Sequence, residues 1–134
     1  MRALGGIALA LALAGCSSVQ RPVCPVGQES LKTVQLFFGQ NIGGKPGVSD
    51  ADFRKFVDDE LTPRFPNGLT ILNGGGQWRG SENQLIREAA KVVVIVLPAR
   101  GDGPTRVEAA RVAYKQRFQQ EAVMLVSQAA CVSF

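Results

Sequence analysis

The chain of 134 residues contains no histidine, and it has only one tryptophan and one tyrosine. Without histidine, the catalytic sets that pair a serine or cysteine nucleophile with an imidazole base are excluded. A zinc site is disfavoured as well, because Cys24 and Cys131 are the only thiols beyond the N-terminal segment and two thiolates do not complete a tetrahedral site. We therefore assign no catalytic residue, no metal ion and no cofactor, and the composition favours a protein that is not an enzyme.

The chain also lacks a basic cluster and a long apolar run at its start. Its lysines and arginines are scattered, although the formal net charge is +4, and nucleic-acid binding normally requires a basic stripe on one face. The apolar run of residues 7–14 is far shorter than the roughly 20 residues that span a bilayer as a helix. We predict no nucleic-acid partner.

The N-terminal segment, MRALGGIALALALAGCSS, has the order of a secretory signal, with Arg2 before an apolar run and small residues at its end. Residues 13–16 (LAGC) resemble the lipobox of bacterial lipoproteins. That resemblance implies a signal peptide of residues 1–15, lipid chains such as palmitate on Cys16, and attachment to the cell envelope through that lipid. Ser17 favours the outer membrane, facing the periplasm, and the alternative is an ordinary cleaved signal with a chance cysteine.

Cys24 and Cys131 lie near the two ends of the chain that remains after the signal. An exported protein meets an oxidising compartment, so a disulfide between them is the leading interpretation, with two free thiols as an alternative. In the chain-entropy model a bond that closes a loop of roughly 100 residues stabilises by up to about 4–5 kcal/mol. Residues 16–30, which include Pro22 and Pro25, are predicted to form an extended tether.

The folded domain is predicted to span residues 31–134 and to begin with a strand. Residues 31–39 are rich in β-branched and aromatic side chains, which favours that structure. Ser49 is predicted to cap a helix, because acidic residues follow it and apolar residues then recur at helical spacing. That stripe consists of Phe53, Phe56, Val57 and Leu61, with Pro63 and Pro66 at its end.

The second half of the domain is predicted to hold three strands and one helix. A short strand is expected at residues 68–73, a long apolar strand at 85–97 and a last strand at 122–134. Thr105 and Glu108 have the spacing of a capping box, which predicts a helix that runs to about Gln120.

The predicted order of elements is β-α-β-β-α-β, which is the ferredoxin-like plan of an α+β fold. Right-handed crossovers then place both helices on one face of a four-stranded antiparallel sheet. In that plan the first and last strands are neighbours, so Cys24 and Cys131 come to lie side by side. Two independent arguments therefore agree on the disulfide.

The apolar pattern of the strands predicts that both faces of this sheet are covered. Residues 92–97 are apolar at every position, and in the last strand Val123 and Leu125 alternate with Met124 and Val126. A sheet with one solvated face should instead alternate apolar and polar side chains. We expect a homodimer that packs sheet against sheet, as in dimeric α+β barrels, and the alternative is a tether or loop folded over the face.

The glycine-rich stretch NGGGQWRG, residues 73–80, is the most distinctive candidate for a binding site. It does not have the pattern of a phosphate-binding loop, because a strand follows it rather than a lysine and a helix N-terminus. Gln77, Trp78 and Arg79 could offer an amide, a stacking surface and a cation to a ligand at the sheet edge. The alternative is a flexible or bulged connection whose tryptophan packs on the sheet.

Three further residues complete the candidate ligand-binding set. Arg64 could bind an anion, although an ion pair with one of the acidic residues 58–60 is expected more often. Glu88 lies in an apolar strand and is interpreted either as the ion-pair partner of a cation in the second helix, Arg117 or Lys115, or as a pocket acid. Tyr114 is expected in the core with its hydroxyl group at the rim.

Three stretches of the domain resemble a family of bacterial lipoproteins. They are LTPRFPNGLT at residues 61–70, GQWRG at 76–80 and YKQRFQQE at 114–121, and the family is the one catalogued as domain of unknown function 3574. The resemblance extends over about residues 30–134 and implies a small secreted or envelope-anchored α+β domain with no assigned activity. Ala122 departs from the serine that this family is expected to carry there.

Two functions are compatible with the sequence. The preferred one is an envelope lipoprotein that serves as a non-catalytic binding or assembly module, with an unknown envelope protein or small molecule as its partner. The second is a small enzyme or small-molecule binder of the dimeric α+β barrel type. Its pocket would lie near Arg64, Gln77, Trp78, Arg79 and Glu88, so convergence of these side chains would favour it.

Overall fold

The structure is a computed structural model that describes residues 23–134. The predicted signal peptide of residues 1–15, the lipidation site Cys16 and the tether up to residue 22 lie outside the described residues. In chain order the elements are β1 (Glu29–Gly39), β2 (Asn41–Ile42), β3 (Lys45–Pro46), α1 (Asp50–Phe56), a π-helical turn (Val57–Leu61), α2 (Thr62–Arg64), β4 (Thr70–Arg79), β5 (Leu85–Leu97), α3 (Gly103–Phe118) and β6 (Met124–Val132).

The four long strands form an antiparallel sheet in the order β4-β5-β1-β6. The segment from α1 to α2 connects β1 with β4, and α3 connects β5 with β6, so each connection passes over one intervening strand. This is the predicted ferredoxin-like βαββαβ plan, and the prediction of an α+β fold class is confirmed. β1 begins at Glu29, two residues before the predicted start of the strand.

A disulfide joins Cys24 and Cys131, as predicted, with 5.4 Å between their Cα atoms. Cys131 pairs with Ser30 across the β1–β6 ladder. A turn before β1, in which the N–H of Gln28 donates to the carbonyl of Pro25, brings Cys24 back to the end of β6. The bond therefore connects the entry of the first strand to the exit of the last one.

Aromatic rings form the centre of the core between the sheet and the helices. The ring of Phe38 in β1 contacts Phe53, Phe56 and Tyr114, with centroid separations of 5.6, 5.7 and 4.6 Å. All three contacts are edge-to-face, the geometry that the charge distribution of aromatic rings favours. Because two of these partners come from α1 and one from α3, both helical segments pack on the same face of the sheet.

The first helix starts after Ser49, the predicted N-cap residue, which forms a capping box with Asp52. The N–H of Asp52 donates to the Ser49 hydroxyl at 3.1 Å, and the N–H of Ser49 donates to the Asp52 carboxylate at 3.2 Å. Two N–H groups that the helix itself cannot satisfy thereby gain acceptors.

The helix that precedes the last strand, α3, starts earlier than the sequence predicts. α3 begins at Gly103, its N-cap residue is Asp102, and no side chain caps it. Thr105 therefore lies within the first turn and the predicted capping box with Glu108 is wrong. Pro104 explains the difference, because proline is well suited to the first turn of a helix and need not belong to the preceding loop.

The glycine-rich stretch belongs to a strand. β4 continues through Gly74, Gly75 and Gly76 to Arg79, and each residue pairs with one of β5. The prediction of a flexible or bulged connection at this point is wrong, since the turn lies at residues 80–84. Pairing with the long strand β5 outweighs the roughly 0.5–1 kcal/mol by which a glycine weakens a strand relative to alanine.

Candidate binding surface and cavities

One face of the sheet is covered by no described helix, and we call it the open face. Its side chains alternate along each strand with those that face the helices. All of them except the buried Leu31 are half-buried or exposed. They are Glu29, Leu31, Thr33, Gln35 and Phe37 of β1, Thr70, Leu72 and Trp78 of β4, Ile86, Glu88, Ala90, Val92, Val94 and Val96 of β5, and Met124, Val126, Gln128, Ala130 and Val132 of β6.

The open face is mainly apolar. Leu72, Trp78 and Met124 retain 50%, 45% and 56% of their surface exposed, and the valines of β5 lie between the outer strands. Glu29 and Glu88, near opposite ends of the sheet, are the charged side chains of this face. Contiguous exposed apolar surfaces of this extent are typical of interaction sites. The predicted apolar character of both sheet faces is therefore present in the structure.

Strands β4 and β5 extend beyond the other strands as a two-stranded arm. β1 pairs with β5 only as far as Gly39 and Ala90, whereas β4 and β5 remain paired up to Arg79 and Leu85. An isolated two-stranded ribbon is marginally stable in water. Side chains on both faces of the arm are exposed or half-buried, so the arm offers apolar surface that the domain does not use internally.

The three candidate residues in the arm do not share a pocket. Trp78 lies on the open face, outside the core. Gln77 and Arg79 point to the opposite face, where Gln77 Oε1 accepts from Nε of Arg87 and Arg79 Nη1 donates to Oδ1 of Asn83, both at 2.9 Å. The tryptophan therefore cannot act together with these two polar groups on one ligand.

Glu88 stabilises the base of the arm. Its Oε1 accepts from the backbone N–H of Asn41 at 2.8 Å, and its carboxylate lies over Gly39, where a β-carbon would approach it to 2.5 Å. The alternative that it pairs with a cation of the second helix is wrong for Arg117, which pairs instead with Asp59 at 2.8 Å. The Glu88 carboxylate therefore has a hydrogen-bond partner within the fold, the N–H of Asn41.

Tyr114 is a core residue, as expected, and its hydroxyl group donates to the carbonyl of Gly39 at 2.8 Å. Burial raises the pKa of this phenol well above its ordinary value, and the nearby carboxylate of Glu88 raises the pKa further. A phenol that is buried, protonated and hydrogen-bonded to the backbone is not available as a base.

Arg64 lies at the other end of the molecule. Its Nη1 donates to the carboxylate and to the backbone carbonyl of Glu60, so the expected ion pair with the acidic residues 58–60 is confirmed. Because Arg64 is remote from the arm and the arm residues diverge, the six candidate residues do not converge on one pocket.

Two adjoining cavities lie where β5 ends and β4 begins. The larger has a volume of about 550 Å³ and the smaller about 140 Å³. The two cavities differ in the chemistry of the side chains that border them. The larger is bordered by Leu31, Leu69, Val94, Val96 and Phe134, and the smaller by Arg64, Arg100 and Arg106.

Four carboxyl groups of the helical segments have a lowered pKa, and each does so because it accepts hydrogen bonds. They are Asp50, Asp52, Asp59 and Asp102. The main donors that lower the pKa of each are, in the same order, Lys91, Ser49, Arg117 and Arg106. All four remain ionised at neutral pH. They cap a helix or form ion pairs.

Residues 23–134 hold no grouping of three or more potential ligands that could bind a metal ion. Over the same residues, no helix is both long enough and apolar enough to cross a membrane.

Sequence reasoning missed the two arginines that, together with Arg64, surround the smaller cavity. Arg100 lies in the loop after β5, and Arg106 lies in the first turn of α3. The signal was present in the sequence PARGDGPTR, in which two arginines flank a glycine-rich helix start. The sequence does not show that a third arginine, 36 positions before the first of them, comes close to the same point.

Comparison with known proteins gives a family and a fold. Residues 33–134 match the family model described as "Protein of unknown function (DUF3574)". No curated protein matches the chain. Two solved structures are similar in fold, a phage SAM lyase in the apo state and a phage SAM lyase in complex with S-methyl-5'-thioadenosine.

The structural likeness is close in shape and distant in sequence. The apo enzyme has a TM-score of 0.59 at 19% identity, with 78% of this chain and 90% of that chain covered. For the complex the TM-score is 0.59 at 18% identity, with 88% and 97% covered. At this identity the likeness shows a shared fold.

Proposed function

The chain belongs to the family of proteins of unknown function DUF3574, and we propose that this member is a non-catalytic assembly module of the cell envelope. In this proposal Cys16 carries the lipid that holds the protein at the membrane, facing the periplasm. The domain then self-associates through its open face. The open face is the single observation that carries the proposal, because it is a broad apolar surface without cover among residues 23–134.

The size of the open face suits a protein interface. Four strands spaced about 4.8 Å apart, each over about eight residues of 3.3 Å, give a projected area of roughly 500 Å². Side-chain relief makes the accessible area larger than the projection. Stable interfaces bury about 800 Å² per partner, so the open face and the adjoining arm together supply an area of the required order.

A second copy of this chain fits the open face better than a charged partner does. The face carries two carboxylates, Glu29 where β1 begins and Glu88 in the arm, and Glu88 already accepts from Asn41. Two copies can therefore pack the uncharged centre of the face sheet against sheet, about 10 Å apart. The same contact would shield Trp78 and the open-face side chains Met124 and Val126 of β6 from water.

Matched aspartate substitutions on the two faces of the edge strands test this proposal. Leu72 and Val126 lie on the open face and are 50% and 40% exposed, whereas their neighbours Ile71 and Leu125 lie on the other face and are 41% and 38% exposed. We expect Leu72→Asp and Val126→Asp to convert an oligomer to a monomer in light scattering of the unlipidated mature chain.

The controls share strand, exposure and chemistry with the test variants. Ile71→Asp and Leu125→Asp should leave the oligomer intact, because their charges lie outside the contact. A wild-type protein that remains monomeric at micromolar concentration would rule out self-association through the open face.

The lipid anchor has its own test. Cells that produce the protein with labelled palmitate should incorporate the label, and the protein should fractionate with the outer membrane. Cys16→Ala should abolish the labelling. Labelling that survives this substitution would contradict the assignment of the anchor.

A small-molecule binder or enzyme is the second candidate, and the larger cavity favours it. Its volume of about 550 Å³ lies within the range of ligand sites, about 300–1,000 Å³. A structure of the same fold is a SAM lyase in complex with S-methyl-5'-thioadenosine. Titration calorimetry with SAM and with S-methyl-5'-thioadenosine tests this candidate directly. Saturable binding of either compound, accompanied by product formation from SAM, would replace the assembly proposal with an enzyme.

A further inference from the structure

The smaller cavity is lined by arginines from three separate segments of the fold. Arg64 ends α2, Arg100 belongs to the loop after β5, and Arg106 lies in the first turn of α3. Guanidinium groups are planar, always charged, and shaped to donate pairs of hydrogen bonds to phosphate or carboxylate oxygens. Their arrangement around one cavity of about 140 Å³ is therefore suited to an oxyanion group.

The protein itself neutralises only part of this charge. Arg64 uses Nη1 toward Glu60, while Arg106 uses Nε toward Asp102 and Nη1 toward the carbonyl of Arg64. The N–H donors on Nη2 of Arg64 and Arg106 therefore remain available to a ligand. Arg100 has no hydrogen bond or ion pair with any residue of the described part of the chain. Three positive and two negative groups leave one positive charge at the cavity.

The backbone adds donors at the same place. α3 has 16 residues and begins beside the cavity without a side-chain cap. The first N–H groups of a helix have no acceptor within the helix, and they carry a partial positive charge. The electrostatic potential of these N–H groups is positive, like that of the three arginines, so it favours the binding of an anion at this place.

The larger cavity adjoins this cationic one. The two share the turn at Asn67 and Gly68 and the end of β5 from Val96 to Pro98. Beyond that shared wall the larger cavity is bordered mostly by apolar side chains, including Leu69 and Phe134, and Glu29 is its one charged side chain. An oxyanion held by the arginines would therefore have an apolar compartment directly beside it.

We infer that the two cavities form one binding site for an organic anion that combines a phosphate or carboxylate group with an apolar body. The oxyanion binds Arg100 and the Nη2 groups of Arg64 and Arg106. The apolar body occupies the larger cavity. The larger cavity includes Val94 and Val96 of the open face, so this site adjoins the surface proposed for self-association. Calorimetry reports the site and light scattering reports the assembly, so each proposal can fail without the other.

Calorimetry with octyl phosphate, inorganic phosphate and octanol tests the site on the unlipidated mature chain. We expect octyl phosphate to bind at least tenfold more tightly than either of the other two, because only it fills both cavities. Arg100→Gln should weaken octyl phosphate binding at least tenfold, and this residue has no structural partner whose loss could unfold the protein. Arg54→Gln, an exposed arginine of α1 outside both cavities, should leave the affinity unchanged.

A second variant examines the apolar compartment. Phe134 is fully exposed, so Phe134→Ser should not affect folding. It should weaken octyl phosphate binding and leave inorganic phosphate binding as it was. Light scattering of the same samples reports the oligomeric state separately, so that a change in assembly is not mistaken for a change at the site.

Three results would overturn the inference. They are an affinity of Arg100→Gln equal to that of the wild type, inorganic phosphate bound as tightly as octyl phosphate, and no octyl phosphate binding at all. Binding to phosphatidylglycerol vesicles but not to phosphatidylcholine vesicles would support the site with a membrane lipid as the source of the anion. Octyl phosphate binding without vesicle binding would support it with a soluble ligand.

Discussion

Tyr114 is the only tyrosine of the chain, so its ionisation can be followed without interference from other tyrosines. Burial raises its pKa above the ordinary value of 10.0. The unfolded chain therefore releases this proton near pH 10 while the folded protein retains it, and the stability present below pH 10 falls as the pH rises. We expect tyrosinate absorbance to appear only together with unfolding, as followed by circular dichroism. A tyrosinate signal in the folded protein near pH 10 would contradict the buried hydrogen bond to Gly39.

Gly39 and Glu88 are coupled by a close approach. A β-carbon at position 39 would come within 2.5 Å of the Glu88 carboxylate, so that carboxylate must move and its hydrogen bond from Asn41 is lost. We expect Gly39→Ala to destabilise the protein by about 1 kcal/mol in urea unfolding, the usual net contribution of one hydrogen bond.

Making Gly39→Ala in a protein that already carries Glu88→Ala isolates that coupling. In this background the clash and the hydrogen bond are both absent, so the same glycine substitution should cost clearly less. Additive effects of the two substitutions would show that Gly39 is required for a reason other than Glu88.

At the scale of elements, the two helix starts provide a matched pair of substitutions. Ser49 caps α1 through its hydroxyl group, whereas Thr105 lies inside the first turn of α3 and caps nothing. We expect Ser49→Ala to lower the free energy of unfolding by about 1 kcal/mol, and Thr105→Ala to change it by a few tenths at most. Equal losses in chemical denaturation would contradict this assignment of the caps.

The elements were largely predictable from the sequence, because periodicity and local chemistry determine them. The stripe of Phe53, Phe56, Val57 and Leu61 became the buried face of the first helical segment. The prediction failed where pairing with a distant strand overrides local preference, as at Gly74–Gly76. It also failed at Pro104, which is compatible with both a loop and a helix start.

The site was less predictable, because it depends on where side chains from distant segments point. Gln77 and Trp78 are adjacent in sequence but lie on opposite faces of β4, a consequence of the two-residue period of strands. Treating them as one ligand-binding group assumed a loop. The arginine cavity, in contrast, requires the end of α2 and the start of α3 to meet, and no local pattern encodes that meeting.

At the scale of the whole molecule, the disulfide has the largest expected effect on stability. Cys24 and Cys131 are 107 positions apart in the sequence, and a loop of about 100 residues corresponds to about 4.7 kcal/mol in the chain-entropy model. We expect Cys24→Ser with Cys131→Ser to lower the free energy of unfolding by about 2–5 kcal/mol. Urea titrations with and without reductant measure this for the wild type, and the double variant should not respond to reductant. An unchanged wild-type midpoint after reduction would contradict it.

The four hydrogen-bonded carboxylates predict an acid-sensitive fold. Their pKa values in the folded protein lie below the ordinary 3.8, so they contribute stability above about pH 4 that is lost as the pH falls through the lowered values. All four are solvent-exposed, so the loss should be modest and should shrink in high salt. Urea midpoints at neutral and acid pH test this, and Asp59→Asn, which removes one such group, should reduce the difference.

The position of the disulfide also determines how the domain responds to force. If the lipid on Cys16 holds the protein at a membrane, any pull on the domain arrives along the tether and meets Cys24 before it meets β1. The bond to Cys131 then divides the load between β1 and β6. The hydrogen bonds between β1 and β6 then do not break one after another from the end of β1, because the disulfide pulls β6 together with β1. Under that condition the covalent link would act as a mechanical clamp at the point where the domain is loaded.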